Sequence, residues 1–242
     1  MKMMNLPQNC RKLWAIIPAA GSGSRFSKTQ LKQYQMIQDK TVLEHTIDRL
    51  NELNLSGYVL AISEQDEVAK NLALRDKNKA QFCSGGHERV DSVLNGLIHL
   101  SQYADEDDLV FVHDAARPCV SIDCLNQLVK TAVDENCSAI LAIPVRDTLK
   151  FAKQESIEKT VSRDYLWQAQ TPQISRLGTL RKAIEKALKD GITITDEASA
   201  LEYYGETVKV VVGRSDNIKI TYAEDLDLAR LIIQAQAHTH KV

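Results

Sequence analysis

Leu13-Trp14-Ala15-Ile16-Ile17-Pro18-Ala19-Ala20-Gly21-Ser22-Gly23-Ser24-Arg25-Phe26, continued to Lys32, decides how this chain is read. Leu13 to Ile17 is an apolar run halted by Pro and Gly, the pattern of a short strand inside a parallel sheet covered on both faces. Ala19, Ala20, Gly21, Ser22 and Gly23 then expose backbone with almost no side chains, so successive N–H groups can wrap an anion. Arg25 and Lys32 add two full charges, and the arginine fork suits phosphate oxygens. The loop is neither a Walker A motif, since Gly-Lys-Ser/Thr is missing, nor G-x-G-x-x-G, since Phe26 stands at the third Gly. P-loop ATPase and hydride-transfer readings weaken accordingly.

Outward from this loop the pattern alternates. Thr41 and Glu44 fit a capping box, and Val42, Leu43, Ile47, Leu50 and Leu53 follow at helical spacing. Strands are expected at 58–62, 80–83, 109–112, 139–143, 208–212 and 218–220, with helices at 64–74, from 89, at 121–133, 176–188, from 195 and at 223–235. This order predicts an α/β, Rossmann-like, doubly wound and mostly parallel sheet. Ser84-Gly85-Gly86-His87-Glu88-Arg89 is a second Gly-rich strand-to-helix turn. The carboxyl ends of parallel strands share one edge, which predicts that this turn faces the first loop, with Arg89 and Ser92 one helical turn apart. After strand 109–112 come Asp114, Ala115, Ala116 and Arg117, a possible metal ligand beside a possible phosphate clamp, which suits a polyphosphate with Mg²⁺ or another divalent cation. His113 has no second His or Cys at ligand spacing and is expected to be a hydrogen-bonded structural residue. Lys219, flanked by two Ile, needs an anionic partner or a phosphate. The alternation breaks at about 145–171, where 148–152 and 157–161 resemble a projecting hairpin; such an arm is marginal alone, and arm exchange between two copies would give a symmetric homodimer.

Composition narrows the classes. A chain of 242 residues suits one α/β domain spanning 1–242, and 44% hydrophobic with 26% charged residues is ordinary globular usage. A formal net charge of -2 argues against general nucleic-acid binding. Five Cys at 10, 83, 119, 124 and 137 form no C-x-x-C pair and are expected to be reduced, buried thiols. No window reaches the roughly 18 apolar residues of a membrane span, so a cytoplasmic enzyme without a membrane partner is expected.

Several separate motifs, taken together, resemble the 2-C-methyl-D-erythritol 4-phosphate cytidylyltransferase family nearly end to end. They are Pro18 to Phe26, Lys32-Gln33-Tyr34, Thr41 to Thr46, Gly85-Gly86 with Arg89 and Ser92-Val93, Asp114 to Pro118, Asp147-Thr148, Thr171-Pro172-Gln173, Thr195 to Ala198, and Asp216 to Lys219. The resemblance implies a sheet of the nucleotide-diphospho-sugar transferase type, CTP and methylerythritol phosphate as substrates, and a homodimer whose arms complete each other's sites. It also implies roles: Arg25 and Lys32 as transition-state stabilisers, and Lys219 and Arg163 as the residues positioning the attacking phosphate. Ala19, Ala20, Gly21, Ser22 and Gly23 would hold the CTP phosphates, with Gly86, Arg89 and Ser92 around the cytosine. Asp114, Arg117, Thr148 and Thr195 would bind the acceptor, Asp114 also meeting a metal held largely by substrate phosphates. Leu31 stands where the family usually has Pro and Asp39 where it usually has Gly, which implies altered loop rigidity rather than lost chemistry. A ribitol 5-phosphate cytidylyltransferase and a non-catalytic CTP-binding regulatory module are the competing readings.

Overall fold

A computed structural model describes residues 12–21, 26 and 31–239. Leu13–Pro18 forms β1, and Lys32–Tyr34 a single 3₁₀ turn. Met36–Ile37 (β2) and Lys40–Thr41 (β3) make a small hairpin before helix α1 (Val42–Leu50). There follow β4 (Gly57–Ile62), α2 (Glu67–Asn71), β5 (Ala80–Ser84), α3 (Arg89–Leu100), β6 (Leu109–Val112), α4 (Ile122–Asp134) and β7 (Ser138–Pro144). The arm is β8 (Leu149–Lys153) and β9 (Ser156–Val161), and the chain continues through β10 (Trp167–Arg176), α5 (Leu177–Lys189), α6 (Glu197–Tyr204), β11 (Val208–Val212) and α7 (Asp225–Thr239).

The central sheet runs β11-β7-β10-β6-β1-β4-β5. Every strand in it but β10 points the same way, so the mostly parallel, doubly wound expectation holds. β1 shows why its residues are uniformly apolar. Leu13, Ala15 and Ile17 pack with Leu43, Ile47 and Leu50 of α1 and Leu125 and Leu128 of α4 on one face. Trp14 and Ile16 meet Val93 and Leu97 of α3 and Leu180 and Ile184 of α5 on the other. Each fully buried side chain of this kind contributes about 1.5–3 kcal/mol before the cost of ordering it. Thr41 and Glu44 close the expected capping box reciprocally, starting α1 at Val42.

Four sequence expectations change. Trp167–Arg176, the last five arm residues among them, is a strand of the central sheet, antiparallel to both β6 and β7 and broken in register between Ala169 and Gln173. Residues 218–220 are irregular: the Ile220 N–H donates to the Ala116 carbonyl of a loop, and no ladder forms. Helix α2 is shorter than 64–74, because the Asp66 carboxylate accepts the Val68 and Ala69 N–H groups and fixes the start at Glu67. Among the four described cysteines, all free, Cys119 and Cys124 are buried but Cys83 and Cys137 only partly so. Burial pushes the Cys83 thiol up to about 11 and the Cys119 thiol to about 12, so neither is nucleophilic near neutral pH. No helix among the described residues is long and apolar enough to cross a membrane.

Candidate active site

The carboxyl ends of β1, β4, β5 and β6 meet at one edge, and a cavity of about 340 Å³ opens there. Its floor is made by the two Gly-rich turns, which touch as expected. A Cβ built on Gly85 would stand 2.3 Å from the Ala20 Cβ, and one on Gly86 would stand 2.1 Å from the Asp91 Cβ. Only a hydrogen at Gly85 lets the second turn close on the first, and only one at Gly86 lets that turn fold against Asp91 in the first turn of α3. The Gly86 N–H donates to Ser92 Oγ at 2.9 Å, so Ser92 acts here through the turn as well as by lining the cavity. The Ala19 N–H continues the β4 ladder at Ala61, and Gln33, buried at the 3₁₀ turn, donates its amide to the Ala19 carbonyl at 2.9 Å. That bond fastens the segment carrying Lys32 to the end of β1, and Lys32 Nζ in turn donates to the Ile220 carbonyl at 2.9 Å.

Charge in the cavity is organised by Asp114, which is 7% exposed. Arg89 Nε donates to its Oδ1 at 3.0 Å, Lys219 Nζ lies 2.8 Å from its Oδ2, and Arg117 Nε is 3.5 Å from the same oxygen. Burial alone would raise the Asp114 carboxyl, but Arg89, Lys219 and Arg117 outweigh it and hold the group well below the usual carboxylate range. Lys219 is therefore ion-paired, one of the two expectations for it. Glu197, the first residue of α6, takes the rest of Arg89: Nη1 donates to Oε1 at 2.6 Å and Nη2 to Oε2 at 3.1 Å.

A neutral hydrogen-bond chain fixes the Asp114 loop from behind. The Asp114 N–H donates to Thr171 Oγ1 at 3.0 Å, and Thr171 Oγ1 lies 2.9 Å from His113 Nδ1. His113 Nε2 lies 3.1 Å from the Arg117 carbonyl, which requires a proton on Nε2 and leaves Nδ1 to accept from the threonine. His113 is thus the structural residue that was expected, with burial pushing its ring down to about 3. Asn217 ties in the loop of Lys219, donating to the Thr171 carbonyl at 2.9 Å.

The cavity brings together Ala19, Ala20, Gly21, Lys32, Gly86, Arg89, Ser92, Asp114 and Lys219 of the expected set. Arg117 is not on its wall and holds the Asn217 carbonyl at 2.7 Å instead. Thr195 is exposed just ahead of α6, its N–H donating to Ser199 Oγ, and the cap of that helix is Asp196. Thr148 and Arg163 are exposed at the base of the arm and do not line this chain's cavity. Ser22, Gly23 and Arg25 lie outside the described residues. Asp39 closes a two-residue turn whose left-handed position, φ 58°, is Gln38, so the family's usual Gly at 39 is not needed for backbone freedom. Glu197, Gln33, Thr171 and Asn217 carry site geometry that the sequence reading did not assign.

Comparison with known proteins agrees along the length of the chain. The family model described as IspD, 2-C-methyl-D-erythritol 4-phosphate cytidylyltransferase, matches residues 13–235. A protein of Acinetobacter baumannii (strain SDF) with that enzyme name is 71% identical over 226 residues, covering 93% of this chain and 95% of its own. One of Vibrio atlanticus (strain LGP32) is 47% identical over 220 residues, 90% and 94% of the two chains. The crystal structure of the Francisella tularensis 2-C-methyl-D-erythritol 4-phosphate cytidylyltransferase superposes with a TM-score of 0.79 at 36% identity, covering 91% of this chain and 99% of that one.

Proposed function

The chain belongs to the 2-C-methyl-D-erythritol 4-phosphate cytidylyltransferase family and transfers the cytidylyl group of CTP to methylerythritol phosphate with release of pyrophosphate, and from that premise we propose how its residues divide the work. The small-residue backbone at Ala19, Ala20 and Gly21, continued by Ser22 and Gly23, binds the CTP phosphates, while Gly86, Arg89 and Ser92 border the cytosine. Lys32, with Arg25, neutralises charge that develops on the α-phosphate and leaving pyrophosphate as the acceptor phosphate oxygen attacks in line. Lys219 steers that attacking phosphate. The observation carrying this division is one cavity in which the touching Gly-rich turns, Lys32 and the Asp114-tethered Lys219 all share a wall.

Among the described residues no three His, Cys, Asp or Glu side chains gather into a metal cage, and both Asp114 oxygens already face cations. This donor set does not suit a resident ion. The Mg²⁺, or another divalent cation, is accordingly proposed to arrive with CTP, carried by phosphate oxygens and water.

Thr148 and Arg163 are proposed to serve a neighbour's site in a homodimer formed by arm exchange. Support comes from the arm itself, whose ribbon leaves Phe151 43% and Ile157 64% exposed and whose returning segment leaves Tyr165 97% exposed, more apolar surface than a solvated hairpin needs. A cytoplasmic location is proposed with it, supported by the four thiols among the described residues, all free.

Pyrophosphate release with CTP and either methylerythritol phosphate or ribitol 5-phosphate tests the acceptor; faster turnover with ribitol 5-phosphate would overturn the assignment. Lys32→Ala should lower kcat by about 10²–10³ while changing the CTP Kd less than about threefold, the signature of a charge used only in the transition state. Equal kcat in that variant removes Lys32 from the mechanism.

A further inference from the structure

The geometry points to Glu197 as a positioning residue for the acceptor phosphate, acting through Arg89 and Asp114 on Lys219. The inference rests on the reading of Lys219 given above. A Glu in the first turn of a helix is ordinarily a solvated charge that complements the helix dipole. Glu197 is not that: it is 3% exposed and both of its oxygens are committed to one guanidinium. Its place is fixed from both sides, since Gln173 donates to the Asp196 carboxylate at 2.9 Å and accepts the Ala198 N–H at 2.8 Å.

The consequence lies in how Asp114 is shared. Arg89 gives one N–H from each Nη to Glu197 and meets Asp114 through Nε, at Oδ1. Oδ2 is left for Lys219 at 2.8 Å. An arginine released from Glu197 would meet the nearest carboxylate with its fork, engaging both oxygens, and would compete with Lys219 for Oδ2. Lys219 would then lose the tether that sets its ammonium on the cavity wall. Two readings predict opposite signs here. By charge alone, neutralising Glu197 makes a cluster of Arg89, Arg117, Lys219, Asp114 and Glu197 more positive and should tighten binding of a phosphate. By positioning, it should loosen it.

The test is pyrophosphate release at saturating CTP with methylerythritol phosphate varied, for the wild type, Glu197→Gln and the charge-keeping Glu197→Asp, with urea unfolding of each. Glu197→Gln is expected to raise the acceptor KM about tenfold while kcat changes less than about threefold, and Glu197→Asp to hold KM within about threefold of wild type. An unchanged or lower KM in Glu197→Gln, or a Glu197→Asp variant as impaired as Glu197→Gln, overturns the proposal. Should Glu197→Gln fail to fold, Gln173→Ala, which removes the two bonds that fix the start of α6, decides: a raised acceptor KM supports the proposal and a wild-type value overturns it. A wild-type chain that releases no pyrophosphate with this acceptor would instead overturn the functional reading itself.

Discussion

Gly85 is where a single hydrogen atom decides the shape of the cavity. Alanine there would bring its Cβ to 2.3 Å from Ala20, 3.1 Å from Ser92 Oγ and 3.3 Å from the Ile62 carbonyl, and Ala20 and Ser92 are among the residues proposed to hold the nucleotide. Gly85→Ala is expected to weaken CTP binding at least about tenfold and to cost roughly 1–3 kcal/mol of stability, as overpacking does. Calorimetric CTP titration and urea unfolding measure the two, and wild-type CTP affinity would dismiss the close approach as a constraint. His113 makes a prediction in pH. Its ordinary value is 6.5 and its folded value about 3, so below about pH 6.5 the unfolded chain takes up a proton that the folded chain refuses. Stability from this ring is therefore complete above that value and falls on acidification by up to about 1.4 kcal/mol per pH unit until the folded pKa is reached. Asp114, with its depressed pKa, adds a loss only once the pH nears ordinary carboxylate values. Urea midpoints for wild type and His113→Gln over roughly pH 6.5 to 4.5 should converge as the pH falls, and parallel curves would show that the ring does not stay neutral.

Secondary structure was legible where apolar spacing did the folding and illegible where polar contacts did. β1, with helices on both faces, had to be a continuous apolar run, and the arm strands announce themselves by alternation. β10 is buried in the same sheet from Gln170 to Ser175, yet the strand reads Trp-Gln-Ala-Gln-Thr-Pro-Gln-Ile-Ser-Arg. Its polar residues are satisfied by distant partners: Gln170 by the Arg214 carbonyl, Gln173 by Asp196, Thr171 by His113. No local pattern reveals such pairings. Glu197 was hidden for a related reason, since Thr-Asp-Glu-Ala is also an ordinary helix start; the signal that could have found it is the excess of cations, Arg89, Arg117 and Lys219, around one aspartate. The arm turn proved tighter than expected, with Lys153 opposite Ser156 and only Gln154 and Glu155 between them at φ 46° and 66°. Because the Val145 N–H donates to the Leu166 carbonyl, the arm leaves and rejoins the body at one point. Replacing residues 147–164 by a short Gly-Ser linker should leave the far-UV spectrum of the body intact and abolish the proposed dimer. Sedimentation of the shortened chain tests this, and a surviving dimer would locate the interface elsewhere.

At the scale of the whole molecule, the residues assigned to one reaction divide into those on the cavity wall and those on the arm. Lys32, Asp114 and Lys219 are gathered at the sheet edge, whereas Arg163 and Thr148 are exposed at the arm base. Two copies that exchange arms would each combine their own edge with a neighbour's arm, so every complete site would need parts from both chains. That arrangement makes defects in different parts complementary. Arg163→Ala impairs the site its arm reaches, and Lys32→Ala impairs the site in its own cavity. In a heterodimer of the two, one site receives both defects and the other receives neither. Each variant alone should be nearly inactive. Mixing equal amounts after subunit exchange should place half of the chains in heterodimers, each with one intact site, and so return about a quarter of wild-type activity per chain. The exchange itself is followed with differently tagged copies. No recovery despite confirmed exchange would put Arg163 to work within its own subunit, and the arm would then serve only to hold the pair together.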